Sequence, residues 1–353
     1  MPNKVNKGEW AELFVFLKAL SDGKIFAADE QLNKIEHLFY TILTALNLQE
    51  EFKKEYIRDS YANCIILEEN GRELLRVPIQ EFKQSADILL KAIQNGKGTF
   101  EIPEIEPLLT KLKVDKIKAS NDSKKDIVFK IHDHFTGTQP FIGFSIKSYI
   151  GSKPTLLNAS GATRIHYRCS SDISEKLREL VHSISTKNKI KDRIQCLKEN
   201  KVELIFDSLP NSTFERNLQM IDYRMPEILA YLFLTSYSVN GKSVSDVVKT
   251  YCQLYNEDIE LVEYKVKDLL VAIALGMEPN SKWSGLEDAN GGYIVVKDDG
   301  EILCYHIYDR NKLREYLYRN TKFDSPSSKR TGAGMFFSED EQERFSLTVQ
   351  IRF

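Results

Sequence analysis

An aspartate and a lysine lie on two short segments that have the residue pattern of neighbouring strands. Residues 123–131 have the sequence SKKDIVFKI, and residues 141–147 have the sequence FIGFSIK. Apolar and polar residues alternate in both segments, and the intervening HDHFTGTQP contains the glycine and proline of a hairpin-sized loop. Antiparallel pairing of these strands would bring Asp126 close to Lys147, so that a carboxylate and an ammonium could act together.

Side-chain alternation along the second strand places Ser145 and Lys147 on one face and Phe144 and Ile146 on the other. A carboxylate at such a strand end can hold Mg²⁺, and a lysine beside it can orient a water molecule or offset negative charge on phosphorus. An acid and a lysine with an apolar reverse side resemble the site of the PD-(D/E)XK nucleases. An ordinary ion pair across a hairpin is the alternative interpretation.

The middle acidic position of that motif is Ser145 here, so a metal site needs a second acid from elsewhere, because Mg²⁺ prefers charged oxygen ligands. Residues 7–20 have apolar residues at helical spacing, with Asn6 as the expected N-cap and Glu9 as its capping-box partner. Glu12 lies at the border of the apolar stripe. The string Lys-Gly-x-x-Ala-Glu, which ends at Glu12, resembles the opening of the Holliday-junction resolvases, whose glutamate contributes to the metal site. A solvated helix position is the alternative for Glu12.

Longer strings resemble the HpaII restriction endonuclease family from about residue 4 to the last residue. The string around Lys147 is the most specific, and the others support it; together they are residues 6–12, 98–106, 143–163, 290–297, 304–308 and 350–353. This family consists of type II restriction enzymes, and its name-giving member cuts duplex DNA at CCGG. The resemblance implies a Mg²⁺-dependent endonuclease that reads a short palindrome.

The resemblance also implies roles for particular residues. Asp126 and Lys147 correspond to the first acid and the lysine of the nuclease motif, and backbone carbonyls near Ile146 would complete the metal shell. Glu12 as the second acid is an inference from the resolvase-like string. Losing either Asp126 or Lys147 is expected to abolish cleavage and leave DNA binding largely intact.

Polar residues beyond the second strand are candidates for contact with DNA. They are Ser145, Ser148, Ser152, Thr155 and Asn158, together with Lys329 and Arg330 in the turn-rich loop at residues 324–332. Thr155 and Asn158 have the alternative role of capping a turn. The alternative for the loop at residues 324–332 is that, as a surface loop, it makes no specific contact with DNA.

Composition restricts the class of protein. A chain of 353 residues with 42% hydrophobic content suits one large or two modest domains, and no apolar run approaches the roughly 20 residues of a membrane span. The N-terminus lacks the apolar core of a signal peptide, and the five cysteines are scattered and odd in number. Zinc binding is not expected from this spacing, and a reducing cytoplasm is the expected location.

Charge is nearly balanced overall but uneven along the chain. The net charge is −2, which by itself does not indicate a nucleic-acid binder. Residues 111–130 contain seven lysines against three aspartates, and residues 187–201 contain six basic residues against two acidic ones. Clustered cations can neutralise DNA phosphates, whereas a solvated helix face is the alternative for the second cluster.

Periodicity predicts the order of the elements. Helices are expected at residues 7–20, 30–48, 79–95, 104–113, 155–166, 172–200, 213–236, 243–254, 257–275 and 310–319. Strands are expected at residues 63–68, 72–77, 123–131, 141–147, 202–206, 292–297, 301–308, 334–338 and 344–352.

This order predicts an α/β (α+β) protein with two parts. Residues 1–210 would form a PD-(D/E)XK restriction-endonuclease-like core, in which helices flank a mixed sheet of αβββαβ order that includes the strand at 202–206. Residues 211–353 would form a C-terminal helical and β-hairpin region for DNA recognition or dimerisation.

The expected function is therefore that of a type II restriction endonuclease. The expected partners are double-stranded DNA, a second copy in a two-fold dimer that matches a palindrome, and a cognate DNA methyltransferase. Two alternatives remain: a junction- or structure-specific repair nuclease with the same core, and a non-catalytic DNA-binding protein whose site has decayed.

Overall fold

A computed structural model describes residues 4–47, 54–114, 124–326, 331–339 and 342–353. Its α-helices, in chain order, are α1 (Lys7–Asp22), α2 (Ile79–Asn95), α3 (Glu106–Lys111), α4 (Glu175–Ser183), α5 (Lys189–Glu199), α6 (Ser212–Gln219), α7 (Met225–Ser236), α8 (Val244–Tyr255), α9 (Ile259–Leu275) and α10 (Arg310–Asn320). Short 3₁₀ turns are at Pro103–Ile105, Gly161–Thr163 and Ile307–Asp309.

The strands follow the same order. They are β1 (Val5–Asn6), β2 (Lys24–Ala28), β3 (Lys34–Asn47), β4 (Lys54–Asp59), β5 (Cys64–Glu69), β6 (Arg72–Pro78), β7 (Thr99–Phe100), β8 (Ile127–His132), β9 (Phe141–Ser148), β10 (Thr155–Leu157), β11 (Arg164–Cys169), β12 (Leu204–Ser208), β13 (Gly292–Val296), β14 (Ile302–His306), β15 (Lys322–Asp324), β16 (Met335–Glu339), β17 (Gln342–Thr348) and β18 (Gln350–Arg352).

The chain divides into two compact units, and each is discontinuous in sequence. The first contains Met1–Pro154, Ala274–Gly276 and Leu286–Tyr316, and the second contains Thr155–Ile273, Met277–Gly285 and Leu317–Phe353. The expected division at residue 210 does not coincide with this partition, because the second unit already begins at Thr155 and the hairpin of β13 and β14 returns to the first.

The first unit has a sheet with the strand order β2-β14-β13-β9-β8-β3-β4-β5-β6, in which β2 also pairs with β3. Because β2 pairs with both β14 and β3, the six strands β2, β14, β13, β9, β8 and β3 form a closed ring of hydrogen-bonded neighbours. The strands β8 and β9 are antiparallel, as expected, whereas β13 pairs with β9 in parallel. Strand β9 therefore lies between a neighbour that is close in sequence and one that is almost 150 residues away.

Helix α1 packs against β2, β3 and β9 and forms the centre of the hydrophobic core of the first unit. The predicted capping box is present: the Asn6 side chain accepts hydrogen bonds from the N–H groups of Gly8 and Glu9, and the Glu9 carboxylate accepts one from the Asn6 N–H. The helix ends at Gly23, which has a φ of 70° and so adopts the left-handed conformation that glycine tolerates best. Phe144 and Ile146 of β9 belong to the same core.

The second unit contains a four-stranded sheet with the order β12-β11-β17-β16 and a three-stranded sheet with the order β10-β18-β15. Buried residues of β11 and β17, among them Tyr167 and Phe345, pair in register. The hydroxyl of Tyr167 donates a hydrogen bond to the carbonyl of Ala230 in α7, which joins this sheet to a helix.

Most of the expected helices are confirmed. These are α1, α2, the 3₁₀ turn with α3, α8, α9 and α10, and the expected helices at 172–200 and 213–236, each of which is broken into two. The hairpins at Asn70-Gly71 and at residues 292–308 are also confirmed, as are the closing strands. The strands β2 and β4 were not expected.

The helix expected at residues 30–48 is wrong, because Lys34–Asn47 is a single long strand. Residues such as Tyr40, Thr41, Ile42 and Thr44 are β-branched or aromatic, and these types favour strands. Strand β3 forms ladders with β2, β4 and β8. These long-range hydrogen bonds outweigh an apolar spacing that also fits a helix.

Two expectations after the site strands are also wrong. The helix expected at residues 155–166 is replaced by β10, a 3₁₀ turn and the start of β11, because β10 and β11 pair with β18 and β17 from the end of the chain. The strand at 202–206 exists as β12, but it pairs with β11 in the four-stranded sheet of the second unit instead of joining the site sheet.

Among the residues that the structure describes, no helix has both the length and the apolar character of a membrane span.

Gly292 tests how tightly the strands around β9 are packed. Its φ is 125°, and an added Cβ would lie 2.0 Å from the carbonyl oxygen of Tyr305 in β14. We expect Gly292→Ala to lower the free energy of unfolding by about 3 kcal/mol or more, because both the backbone conformation and the β13–β14 ladder would be strained. The measurement is urea denaturation.

The matched control is Gly161→Ala, whose added Cβ meets no atom within 4 Å. An alanine at 292 that leaves the urea midpoint as high as this control would show that β13 is not packed as described.

Candidate active site

Asp126 immediately precedes β8 and is attached to β9 through both its backbone and its side chain. Its N–H donates a hydrogen bond to the carbonyl of Phe144 at 2.8 Å. Its carboxylate oxygen Oδ2 accepts a hydrogen bond from the N–H of Ile146 at 2.6 Å, and the hydroxyl of Ser145 lies 3.4 Å from the same oxygen. Hydrogen bonds of this kind hold the carboxylate in one orientation at the strand end.

Burial changes the acidity of this carboxylate. Although part of the Asp126 side chain is exposed, the surrounding protein removes it from water, and this burial raises the pKa of the carboxyl above its usual value. The positive charge of Lys147 acts in the opposite direction, as do the hydrogen bond from Ile146 and the charge of Lys124. The ionised form therefore gains from any additional positive charge.

The expected faces of β9 are present. Phe144 and Ile146 belong to the core around α1, while Ser145 and the half-buried Lys147 point to the opposite face. The structure thus brings Asp126, Ser145 and Lys147 together, and the positive charge of Lys147 acts on Asp126. Their catalytic roles stay predictions.

Glu12 lies in α1 between the buried residues Ala11 and Leu13. Its side chain is half-buried and its oxygen Oε2 is buried, which differs from a fully solvated helix position. Helix α1 packs against the face of β9 that carries Phe144 and Ile146, so Glu12 is on a helix that covers the face opposite to Lys147. Its role in a metal site stays a prediction.

The donor set that the structure describes is compatible with Mg²⁺. Mg²⁺ is usually held by one or two carboxylates and by phosphate and water oxygens. Asp126 offers a buried carboxylate that benefits from a cation, and Glu12 and the Ile146 carbonyl are the further donors expected from the sequence. Within the described ranges, no group of three or more His, Cys, Asp or Glu side chains is arranged to hold a metal ion.

The expected DNA-contact residues differ in their surroundings. Ser145 is only 1% exposed, so it supports Asp126 more directly than it could touch DNA. The Ser148 hydroxyl accepts a hydrogen bond from the N–H of Ile150 at 3.1 Å, and Ser152 is exposed. Contact of Ser148 or Ser152 with DNA stays a prediction.

The remaining expected contacts lie elsewhere in the chain. Thr155 belongs to β10 of the second unit, and Asn158 is exposed just after that strand. Lys329 and Arg330 lie outside the described residues. Contact of these four residues with DNA stays a prediction.

Residues 288–293 contribute to the site and were not expected to do so. The Asn290 side chain accepts a hydrogen bond from the N–H of Gly143 at 2.9 Å, and the Gly291 N–H donates one to the Gly143 carbonyl at 2.7 Å. Tyr293 in β13 then lies opposite Ser145 in the parallel ladder. The sequence predicts a strand at 292–297 but contains no signal for its pairing with β9.

The comparisons with known proteins agree on one family. The HpaII restriction endonuclease family matches residues 6–353. The type II restriction enzyme HpaII from Haemophilus parainfluenzae is 40% identical over 356 residues, which cover 99% of this chain and 98% of that enzyme. No solved structure matches the chain significantly.

The raised pKa of Asp126 leads to a prediction for the metal-free protein. A carboxyl whose pKa is higher in the folded than in the unfolded state contributes stability at low pH, and this contribution is lost as the pH rises through the folded-state pKa. We therefore expect Asp126→Asn to raise the melting temperature at pH 8 in EDTA by a few degrees, at about 2–4 °C per kcal/mol. The difference should shrink as the pH is lowered.

Thermal denaturation at several pH values measures this effect. The control is Asp87→Asn, which changes an exposed aspartate of α2 and should leave the melting temperature unaltered. A variant at 126 that is less stable than the natural protein at pH 8 would mean that attraction to Lys147 outweighs the cost of burial.

Proposed function

The chain belongs to the HpaII restriction endonuclease family, and from this premise we propose that it cleaves duplex DNA within a short palindrome, with CCGG as the target, and that cleavage depends on Mg²⁺. As a member of this family it is a site-specific deoxyribonuclease, which hydrolyses phosphodiester bonds of DNA. The resemblance to the family and the 40% identity with HpaII support CCGG as the target, and the carboxylate of Asp126 supports a divalent cation as the cofactor.

One observation carries the catalytic part of the proposal: the partly buried carboxylate of Asp126, which the backbone of β9 holds and on which the positive charge of Lys147 acts. Burial has a cost for a carboxylate unless a cation compensates it. A protein that only needed an ion pair at this place would gain more from an exposed carboxylate. The arrangement instead favours a group that binds a cation.

The proposed mechanism assigns one task to each residue. Asp126 and Glu12 would hold Mg²⁺ with the backbone carbonyl of Ile146, and the ion would polarise the scissile phosphate and lower the pKa of a water molecule. Lys147 would orient that water or offset charge as the phosphorus becomes pentavalent. Ser145 supports the Asp126 carboxylate and does not replace the missing acid.

The second unit is proposed to serve DNA recognition or dimerisation. It contains Thr155 and Asn158, two of the expected DNA contacts, and its two small sheets lie outside the sheet of Asp126 and Lys147. A palindromic target is read most simply by a two-fold dimer. A cognate methyltransferase that modifies the same sequence is the functional partner that such an enzyme requires.

Digestion of plasmid DNA tests the function. We expect discrete fragments in Mg²⁺ and none in EDTA, and sequencing of the cut ends should reveal CCGG at each site. Nicks that follow DNA structure instead of sequence would indicate a repair or junction-specific nuclease. DNA binding without any cut would indicate a decayed, non-catalytic protein.

The catalytic residues are tested by Asp126→Ala and Lys147→Ala. Each should lower the cleavage rate by about 10²-fold to 10³-fold or more, because a group that holds or offsets charge in the transition state is lost. Binding to CCGG duplex in Ca²⁺, measured by gel shift, should change little. Lys91→Ala is the control, since Lys91 is an exposed residue of α2. Cleavage at the natural rate by either site variant would reject its assigned role.

Glu12 is tested separately with Glu12→Gln, which keeps the shape of the side chain and removes its charge. We expect the Mg²⁺ concentration at half-maximal cleavage to rise by roughly ten-fold or more, since one charged oxygen ligand is lost. Glu104→Gln is the matched control because Glu104 is exposed. If Glu12→Gln needs the same Mg²⁺ concentration as the natural protein, Glu12 has only a structural role in α1.

A further inference from the structure

We propose that the hydroxyl of Tyr293 is a positioning group for Asp126, to which it donates a hydrogen bond when that carboxylate is ionised and binds a divalent cation. The role rests on the proposed function, since Tyr293 acts only through Asp126. The nuclease motif does not include this tyrosine, and the family-like string at residues 290–297 contains it without assigning it a role.

The strand register places Tyr293 at the site. Strand β13 is parallel to β9, and Tyr293 lies opposite Ser145 in that ladder, while Val295 lies opposite Lys147. Paired residues of neighbouring strands project to the same face of a sheet. Tyr293 therefore shares the face of Ser145 and Lys147, and Ser145 is the residue whose hydroxyl lies 3.4 Å from the Asp126 carboxylate.

The side chain of Tyr293 is fully buried. The residue is 0% exposed, and its hydroxyl finds no hydrogen-bond partner in the part of the chain that the structure describes. A buried O–H group without a partner lowers stability, and most proteins avoid it. Such a group is retained where another task compensates for its cost.

The hydroxyl groups of three neighbouring tyrosines do have hydrogen-bond partners. The hydroxyl oxygens of Tyr149 and Tyr316 are 2.7 Å apart, and the hydroxyl of Tyr305 donates to the carbonyl of Asp29 at 2.7 Å. The Tyr305 and Tyr316 rings are stacked with centroids 4.9 Å apart. Among the described residues, Tyr293 therefore differs from these three tyrosines because its hydroxyl has no hydrogen-bond partner.

Electrostatics connects Tyr293 with Asp126 and limits what the hydroxyl can do. Burial raises the pKa of Tyr293 well above its usual value, and the negative charge of Asp126 contributes in the same direction. The phenol thus remains protonated and is a hydrogen-bond donor, not a base. One Asp126 oxygen already accepts the Ile146 N–H, so a further donor would hold the carboxylate from a second direction.

Tyr293→Phe separates this role from simple packing. We expect the single-turnover cleavage rate to fall by roughly ten-fold or more, because a hydrogen bond to a charged group is lost. The KM for DNA and the affinity for duplex in Ca²⁺ should stay unchanged. In EDTA the melting temperature should equal or exceed that of the natural protein, since an unsatisfied buried hydroxyl is removed.

A second readout does not depend on cleavage. Mg²⁺ added without DNA should raise the melting temperature of the natural protein through binding to the folded state, and this rise should be smaller in Tyr293→Phe. Tyr305→Phe is the matched control, because its hydroxyl has a structural partner. That variant should melt at a lower temperature, yet cleave at the natural rate at temperatures where it is folded.

Each outcome decides the inference. A Tyr293→Phe protein with natural cleavage rate and natural Mg²⁺ response overturns it while leaving the proposed function intact. A lower melting temperature in EDTA also overturns it, since the hydroxyl would then be structural. If the natural protein makes no cut, the proposed function fails, and the Mg²⁺-induced stabilisation alone decides the role of Tyr293.

Discussion

The hydrogen bond from the N–H of Ile146 to the carboxylate of Asp126, 2.6 Å long, is the interaction on which the proposed site depends. It joins the residue before β8 to the second half of β9 and holds one carboxylate oxygen in place. Burial of the Asp126 carboxyl raises its pKa, and the charge of Lys147 and the hydrogen bond from Ile146 compensate only in part. The protein therefore keeps a carboxylate whose ionised form gains from a bound cation, at some cost to the stability of the metal-free fold.

Strand β9 can hold this carboxylate because a distant part of the chain supports it from the other side. Asn290 and Gly291 bond to the backbone of Gly143, and β13 continues in parallel along β9. Gly292 has no room for a side chain beside Tyr305. The same register places Tyr293 beside Ser145, so β13 both supports β9 and places a buried hydroxyl group next to the site.

Local patterns predict the parts of the fold that local interactions form. The Asn6 and Glu9 capping box, the turn at Asn70-Gly71 and the alternation in β9 all arise from residues a few positions apart, and each is confirmed. Residues 34–47 and 155–169 are different, because their strands exist through ladders to segments far away in sequence. An apolar spacing that fits both helix and strand cannot decide between them without these partners.

The amino-acid sequence alone determined the family, the hairpin that carries Asp126 and Lys147, and the opposite faces of β9, since these depend on residue identity and on spacing within short segments. Tertiary structure decided the rest. It partly buried Asp126, buried Ser145, divided the chain at Thr155 and placed Tyr293 beside the site. Desolvation and strand pairing depend on which distant segments meet, and no single segment contains that information.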